Sequence, residues 1–323
     1  MPISHWVPVA LSVENDTPYV HWGDLGEFPF KEAFFDDTVR RWSWSDPTQV
    51  SRTRLDDLTT VVPGTLDTPR AVIFHSSRCG STLTSRLLSE IPGMQVISEP
   101  APINSLLIDC HARYDSAALT QILGDLVRVI GRARSLGHRQ FILKTSSWNI
   151  RYHALFRAAF PGVPMVWIHR RPAEIFASLL RKPAGWINIQ QSPSLADTLF
   201  GISGWDVEHL TGGEFCARAL ASVFASASRA VEGTMLVLNY ADLPHAVWTE
   251  LIPFLGIDLD CDSIARMRHM AGFDAKADTP IPFRGGCPEL SPDEAALLGQ
   301  NIDRLYQRIE GQQRCIGSSG HVS

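Results

Sequence analysis

Several short stretches of this chain carry residue types suited to holding an anion and moving a group off it. In His75-Ser76-Ser77-Arg78-Cys79-Gly80-Ser81-Thr82, an apolar run turns through glycine into a helical pattern. Such a turn offers free backbone N–H groups and the positive end of a helix dipole to a negative ligand. Arg78 adds a fixed charge, and Ser81 and Thr82 add hydroxyl donors. The loop is not the nucleoside-triphosphate pattern GxxxxGK[ST], because His75 and Ser81 stand where Gly and Lys are needed. In Trp167-Ile168-His169-Arg170-Arg171-Pro172, a second apolar run ends at two arginines. Pro172 suits a helix start, and Ser178 lies almost two turns in, where it and Arg170 can face one anion. Pairing of these arginines with carboxylates such as Glu174 is the plainer alternative. Lys144 follows the run Phe141-Ile142-Leu143, and Glu99 follows Val96-Ile97-Ser98. A carboxylate at the end of a buried strand is expected to have a raised pKa and to act as a base. Capping the following turn, or pairing with an arginine, is the other reading of Glu99.

The stretch Arg78-Cys79-Gly80-Ser81-Thr82-Leu83 resembles the 5′-phosphosulfate loop of sulfotransferases that use 3′-phosphoadenosine-5′-phosphosulfate (PAPS). Its R-x-G-S-T-L form is most like carbohydrate-type and bacterial members. The resemblance implies that Ser77, Arg78, Cys79, Gly80, Ser81 and Thr82 cradle the phosphosulfate. Arg170 and Ser178 match the spacing of the R-x-P and Ser residues that bind the 3′-phosphate in that family. Phe283-Arg284-Gly285-Gly286 resembles the late Arg-Lys-Gly loop that closes over the same phosphate, with Arg284 retained and Gly285 in the Lys position. Leu238-Asn239-Tyr240-Ala241-Asp242-Leu243 resembles a Y-E-D-L segment whose Tyr lies near adenine, with Ala241 replacing the Glu. Tyr240 read as an aromatic at the edge of the core is an equal alternative.

Lys144-Thr145-Ser146 resembles the Lys-Thr-His of many cytosolic members, where the His is the general base. By that resemblance Lys144 is the cation on the leaving group, and the base is missing at Ser146. Glu99 is the replacement the family suggests, since carbohydrate-type and some bacterial members place a catalytic Glu in this region. His75 and His169 adjoin the two phosphate loops and read more readily as packing histidines than as the base. Leu83 stands where cytosolic members carry a Trp for adenine. The implied reaction is in-line transfer of a sulfuryl group from PAPS to a hydroxyl or amine of a small-molecule or sugar acceptor, releasing adenosine 3′,5′-bisphosphate (PAP). Such transfer has a loose transition state, in which positioning and charge stabilisation dominate. Its site needs cations at the leaving oxygen and, for a hydroxyl acceptor, a base. The rival readings are a P-loop phosphotransferase and a degenerate member that binds PAP without turnover.

These loops need elements to hold them. From Arg70 onward, apolar runs at 71–74, 96–98, 141–143, 164–168 and 235–238 are separated by helical patterns at 81–90, 151–160 and 172–181. This predicts an α/β fold, a parallel sheet covered by helices on both faces, with ligands at the C-terminal strand ends. The resemblance makes it the P-loop-like sulfotransferase fold and spans about residues 70–286. Residues 1–66 read as an N-terminal extension that packs on the core through Trp6, Trp22, Trp42, Trp44 and four phenylalanines. The α/β domain is expected over 67–316, with a frayed tail at 317–323. The segment 182–209, with Trp186, Phe200 and Trp205, is read either as an acceptor lid or as core anchors.

With 45% hydrophobic residues in 323, the chain can bury a large core without disulfides. A net charge of -5 argues against a coat for nucleic acid. The six scattered cysteines form no CxxC pair, so reduced thiols in a cytoplasm are expected and no metal site is. Neither a signal peptide nor an apolar run of the roughly 18 residues a membrane helix needs is visible.

Overall fold

The computed structural model describes residues 5–45, 50–61, 67–132, 140–232, 235–275, 281 and 289–318. The expected strands are present as β4 (Ala71–His75), β5 (Met94–Ser98), β6 (Gln140–Lys144), β7 (Met165–His169) and β8 (Leu236–Asn239). They form one sheet in the order β5-β6-β4-β7-β8, and every neighbouring pair is parallel.

Alternate side chains of these strands feed two different apolar layers. Phe74, Leu143 and Trp167 point into one, and Ile73, Ile142 and Ile168 into the other. A strand buried on both faces must read as a continuous apolar run, which is why these segments show no polar alternation. The connections that matter here are α2 (Ser81–Leu88), α3 (Ser116–Gly131), α4 (Pro172–Arg181) and α5 (Gly212–Ala230).

The N-terminal region forms structure that the sequence reading does not anticipate. Strands β1 (Trp6–Glu14) and β2 (Thr17–Asp24) make an antiparallel hairpin, and β3 (Val50–Arg54) pairs with β2. The hairpin turn is Asn15-Asp16, with φ of 46° and 66°. Left-handed φ at both central residues is what a tight two-residue hairpin needs, and Asn and Asp accept it better than most. Helix α1 (Phe35–Ser45) lies between β2 and β3 in the chain. Trp22, Phe35 and Trp42 are buried in the same apolar layer as Phe74 and Trp167.

Near the C-terminus, α6 (Pro292–Ser318) is interrupted at Gly299, whose φ is 64°. Among the described residues no helix is long and apolar enough to cross a membrane.

Candidate active site

The C-terminal ends of all five parallel strands carry residues singled out from the sequence. His75 ends β4, Glu99 follows β5, Lys144 ends β6, Arg170 follows β7 and Tyr240 follows β8. This is the edge at which open parallel sheets bind ligands.

The loop between β4 and α2 is wound to one hand. Ser77, Arg78 and Gly80 all have positive φ, at 68°, 47° and 79°. Only glycine fits at position 80, because a Cβ there would stand 2.7 Å from Leu243 and 2.9 Å from the Tyr240 ring. The loop is thereby pressed against the segment after β8. The backbone N–H of Ser77 is taken by His75 Nδ1 at 3.0 Å. Those of Arg78, Cys79 and Gly80 donate to no acceptor among the described residues. Arg78 donates to the Lys182 carbonyl at 2.5 Å, while its buried Nε has no partner. Burial pushes this guanidinium below its usual pKa. Free N–H groups at a helix start beside an unsatisfied guanidinium suit a phosphate or sulfate group.

Arg170 lies against the face of Tyr240, 4.2 Å from the ring centroid. Its Nε donates to Glu174 at 2.5 Å, so the carboxylate pairing allowed by the sequence is present. Its terminal nitrogens have no partner among the described residues. Ser178 is half-buried on α4, and its carbonyl accepts from Lys182 N–H. Arg284 and Gly285 lie outside the described residues.

Glu99 and Lys144 form an ion pair at the heart of the site. Strand register sets Ser98 opposite Lys144, and Glu99 N–H donates to the Lys144 carbonyl at 2.7 Å. With φ of 55°, Glu99 turns its carboxylate back, and Lys144 Nζ donates to Oε1 at 2.5 Å. Lys144 is fully buried, and its ammonium sits 5.2 Å from the Phe34 ring, a cation–π contact from the N-terminal region. Asp36 Oδ1 accepts from Ala101 N–H at 3.3 Å, beside Glu99. Burial raises the Asp36 carboxyl against the lowering effect of the Ala101 N–H, and repulsion from Asp37 and Glu99 adds to the rise.

Here the structure corrects the sequence reading. Burial alone would raise the Glu99 carboxyl, as expected. The Lys144 ammonium and His75 more than offset it and hold the carboxyl well below the usual carboxylate range. The counter-ion was not foreseen, because it comes from another strand.

Two histidines support these loops. His75 Nε2 is 3.4 Å from Glu99 Oε1, an electrostatic contact rather than a formed hydrogen bond. Burial opposes a charge on this ring, and the Cys79 and Glu99 side chains outweigh it and raise its pKa. His169 is fully buried, with Nε2 3.1 Å from Glu310 of α6 and its ring edge-on to Tyr306. Ser146 caps the turn that begins at Ser147, in a reciprocal box with Asn149, and accepts from Asn104 Nδ2. A hydroxyl used as a cap explains the residue found there in place of a base.

The lid reading of 182–209 fails for two of its aromatics. The Trp186 and Phe200 rings pack at a tilt 5.2 Å apart, and Phe200 packs edge-on to Phe215 in the core. Trp205 is exposed, with its ring tilted against His209 at 4.4 Å. A cavity of about 290 Å³ lies elsewhere, between residues 29–33 and α2, lined by Thr82, Ser85, Arg86 and Ser98 among others. No cluster of three or more metal-ligating side chains occurs among the described residues.

No protein-family model matches the chain. No curated protein matches it. Among solved structures it is similar to a sulfotransferase from Alicyclobacillus acidocaldarius, with 15% identity and a TM-score of 0.44 over 77% of this chain and 97% of that one. It is also similar to a sulfotransferase from Mycobacterium avium, at 15% identity and a TM-score of 0.43 over 72% and 71%. A third is a mouse sulfotransferase solved with PAP, at 11% identity and a TM-score of 0.38 over 95% and 99%. At TM-scores this low the functional reading rests on the chain's own residues.

Proposed function

We propose that this chain is a PAPS-dependent sulfotransferase acting on a hydroxyl or amine of a small-molecule or sugar acceptor. The observation that carries this reading is the convergence on one sheet edge of the left-handed loop with its N–H groups, Arg78, Arg170 packed on Tyr240, and the Glu99–Lys144 pair. When bound, PAPS supplies an electrophilic sulfuryl group and a phosphate leaving group. In this reading Arg78 and the N–H groups of residues 78–82 hold the 5′ end. Arg170 and Ser178, with Arg284 and Gly285, hold the 3′-phosphate, and Tyr240 flanks the base. The charge-assisted contacts are the stronger kind.

Lys144 and Glu99 neutralise each other at rest. If the ammonium turns toward the departing oxygen, Glu99 loses its counter-ion and burial raises its pKa. The carboxylate then becomes a competent acceptor for the attacking hydroxyl's proton. A cavity of about 290 Å³ lined by Thr82 and Ser98 adjoins the anion loop. The test is a thermal shift with PAP, ADP, ATP and AMP. A ligand that binds only the folded state adds about 2.7 kcal/mol at a hundredfold excess over Kd. PAP should shift the melting point far more than the three nucleotides without a 3′-phosphate. Equal shifts would sink the reading.

A further inference from the structure

His75 touches both halves of the site and has so far no role in it. It ends β4, the central strand, and is nearly inaccessible. One ring nitrogen faces the anion loop, where Nδ1 accepts the Ser77 N–H at 3.0 Å. The other faces the ion pair, with Nε2 3.4 Å from Glu99 Oε1. A ring nitrogen that accepts a backbone N–H carries no proton, so the neutral ring must bear its hydrogen on Nε2, toward Glu99. The Ser77 bond also holds a non-glycine residue at φ 68°, a conformation that persists only where its surroundings enforce it.

We propose that His75 is a positioning residue that locks two things at once through a single tautomer: the left-handed anion loop and the carboxylate of Glu99. The inference rests on the sulfotransferase reading for the identity of the anion, and on geometry alone for the tautomer. The titratable and charged groups that face the ring are Cys79 from the loop, Glu99 after β5 and Lys144 at the end of β6. Asp36 from α1 lies close enough to Glu99 for the two carboxylates to repel. Cys79 Sγ donates to the Ile168 carbonyl at 3.2 Å and its side chain also bears on the ring.

Two substitutions separate the two contacts. An Asn amide can reproduce Nδ1, and a Gln amide can reproduce Nε2. His75→Asn should keep PAP affinity within about twofold, while the Glu99 carboxyl, followed by ¹³C resonance, titrates at higher pH than in the parent. His75→Gln should leave the Glu99 titration in place and weaken PAP binding about tenfold, the scale of one lost hydrogen bond. In the unmodified protein, ring ¹⁵N shifts measured above the pKa of His75 should show the Nε2–H tautomer. An Nδ1–H ring overturns the proposal even if both variants fail to fold. So does an equal loss of PAP affinity in both variants, or a change in neither. If the unmodified protein does not bind PAP, the functional reading falls, and the tautomer and the Glu99 titration still decide the role of His75.

Discussion

Glu99 and Lys144 define the residue scale, because each makes the other tolerable in a buried place. Removing one partner of such a pair leaves an uncompensated charge and costs about 3–5 kcal/mol. Lys144 is the fully buried member, so Glu99→Gln should lower stability by about that much in urea titrations. Adding Lys144→Met should recover most of the loss. A Glu99→Gln protein as stable as the parent would show that the pair is not formed. The pH dependence has a definite sign. A carboxyl whose pKa is depressed by folding contributes stability that is complete above its unfolded value, about 4.3, and is lost as the pH falls below it. Glu99→Gln should therefore flatten the acid limb of the stability curve. The same variant should still bind PAP but turn over about 10²- to 10⁴-fold more slowly on a hydroxyl acceptor, because Gln cannot take the proton. Near-normal turnover would remove Glu99 as the base.

At the scale of elements, the β4–α2 loop depends on a residue that can be both left-handed and without a side chain. Gly80→Ala meets Tyr240 and Leu243 and forces φ 79° on an L-residue. Strain of that kind costs about 1–3 kcal/mol. We expect a lower melting temperature together with weaker PAP binding, since the loop and Tyr240 move together. Loss of stability with unchanged PAP affinity would place the loop outside the ligand site.

The elements also show what was legible in the sequence. Strands β4 to β8 could be read because burial on both faces leaves a continuous apolar run, and α4 because Pro172 marks its start. The hairpin β1–β2 was missed. Its half-buried strands alternate weakly, Pro8 interrupts the first, and Asn15-Asp16 lacks the glycine that usually marks such a turn. Lys144, Glu99, Arg78 and Arg170 are each picked out by type and position, and the structure sets all four at or just beyond the C-terminal strand ends. The link between Glu99 and Lys144 is not picked out, because it depends on the register Ser98↔Lys144 in the sheet. Local spacing contains nothing of that register. Phe200 reads as a core anchor only once its partner Phe215 in α5 is known, a pairing that local spacing does not contain.

Across the whole molecule, one apolar layer runs from the N-terminal hairpin through α3 to the central sheet. The N-terminal region also supplies Phe34 to Lys144 and Asp36 to the turn after Glu99. It is built into the site as well as the core, so removing residues 1–61 should abolish cooperative unfolding as well as PAP binding. A truncated protein that melts cooperatively near the parent temperature would contradict this.

The central claim, that this sheet edge reads a 3′-phosphate through Arg170, has one direct test. Calorimetry should compare PAP and ADP on the parent protein and on Arg170→Ala. Hydrogen bonds to a charged group are worth about 1.5–3 kcal/mol, or roughly 10- to 100-fold in Kd. We predict a loss of that size for PAP and little change in whatever affinity ADP has. Equal losses for the two ligands, or an undiminished PAP affinity in a folded variant, would contradict the assignment.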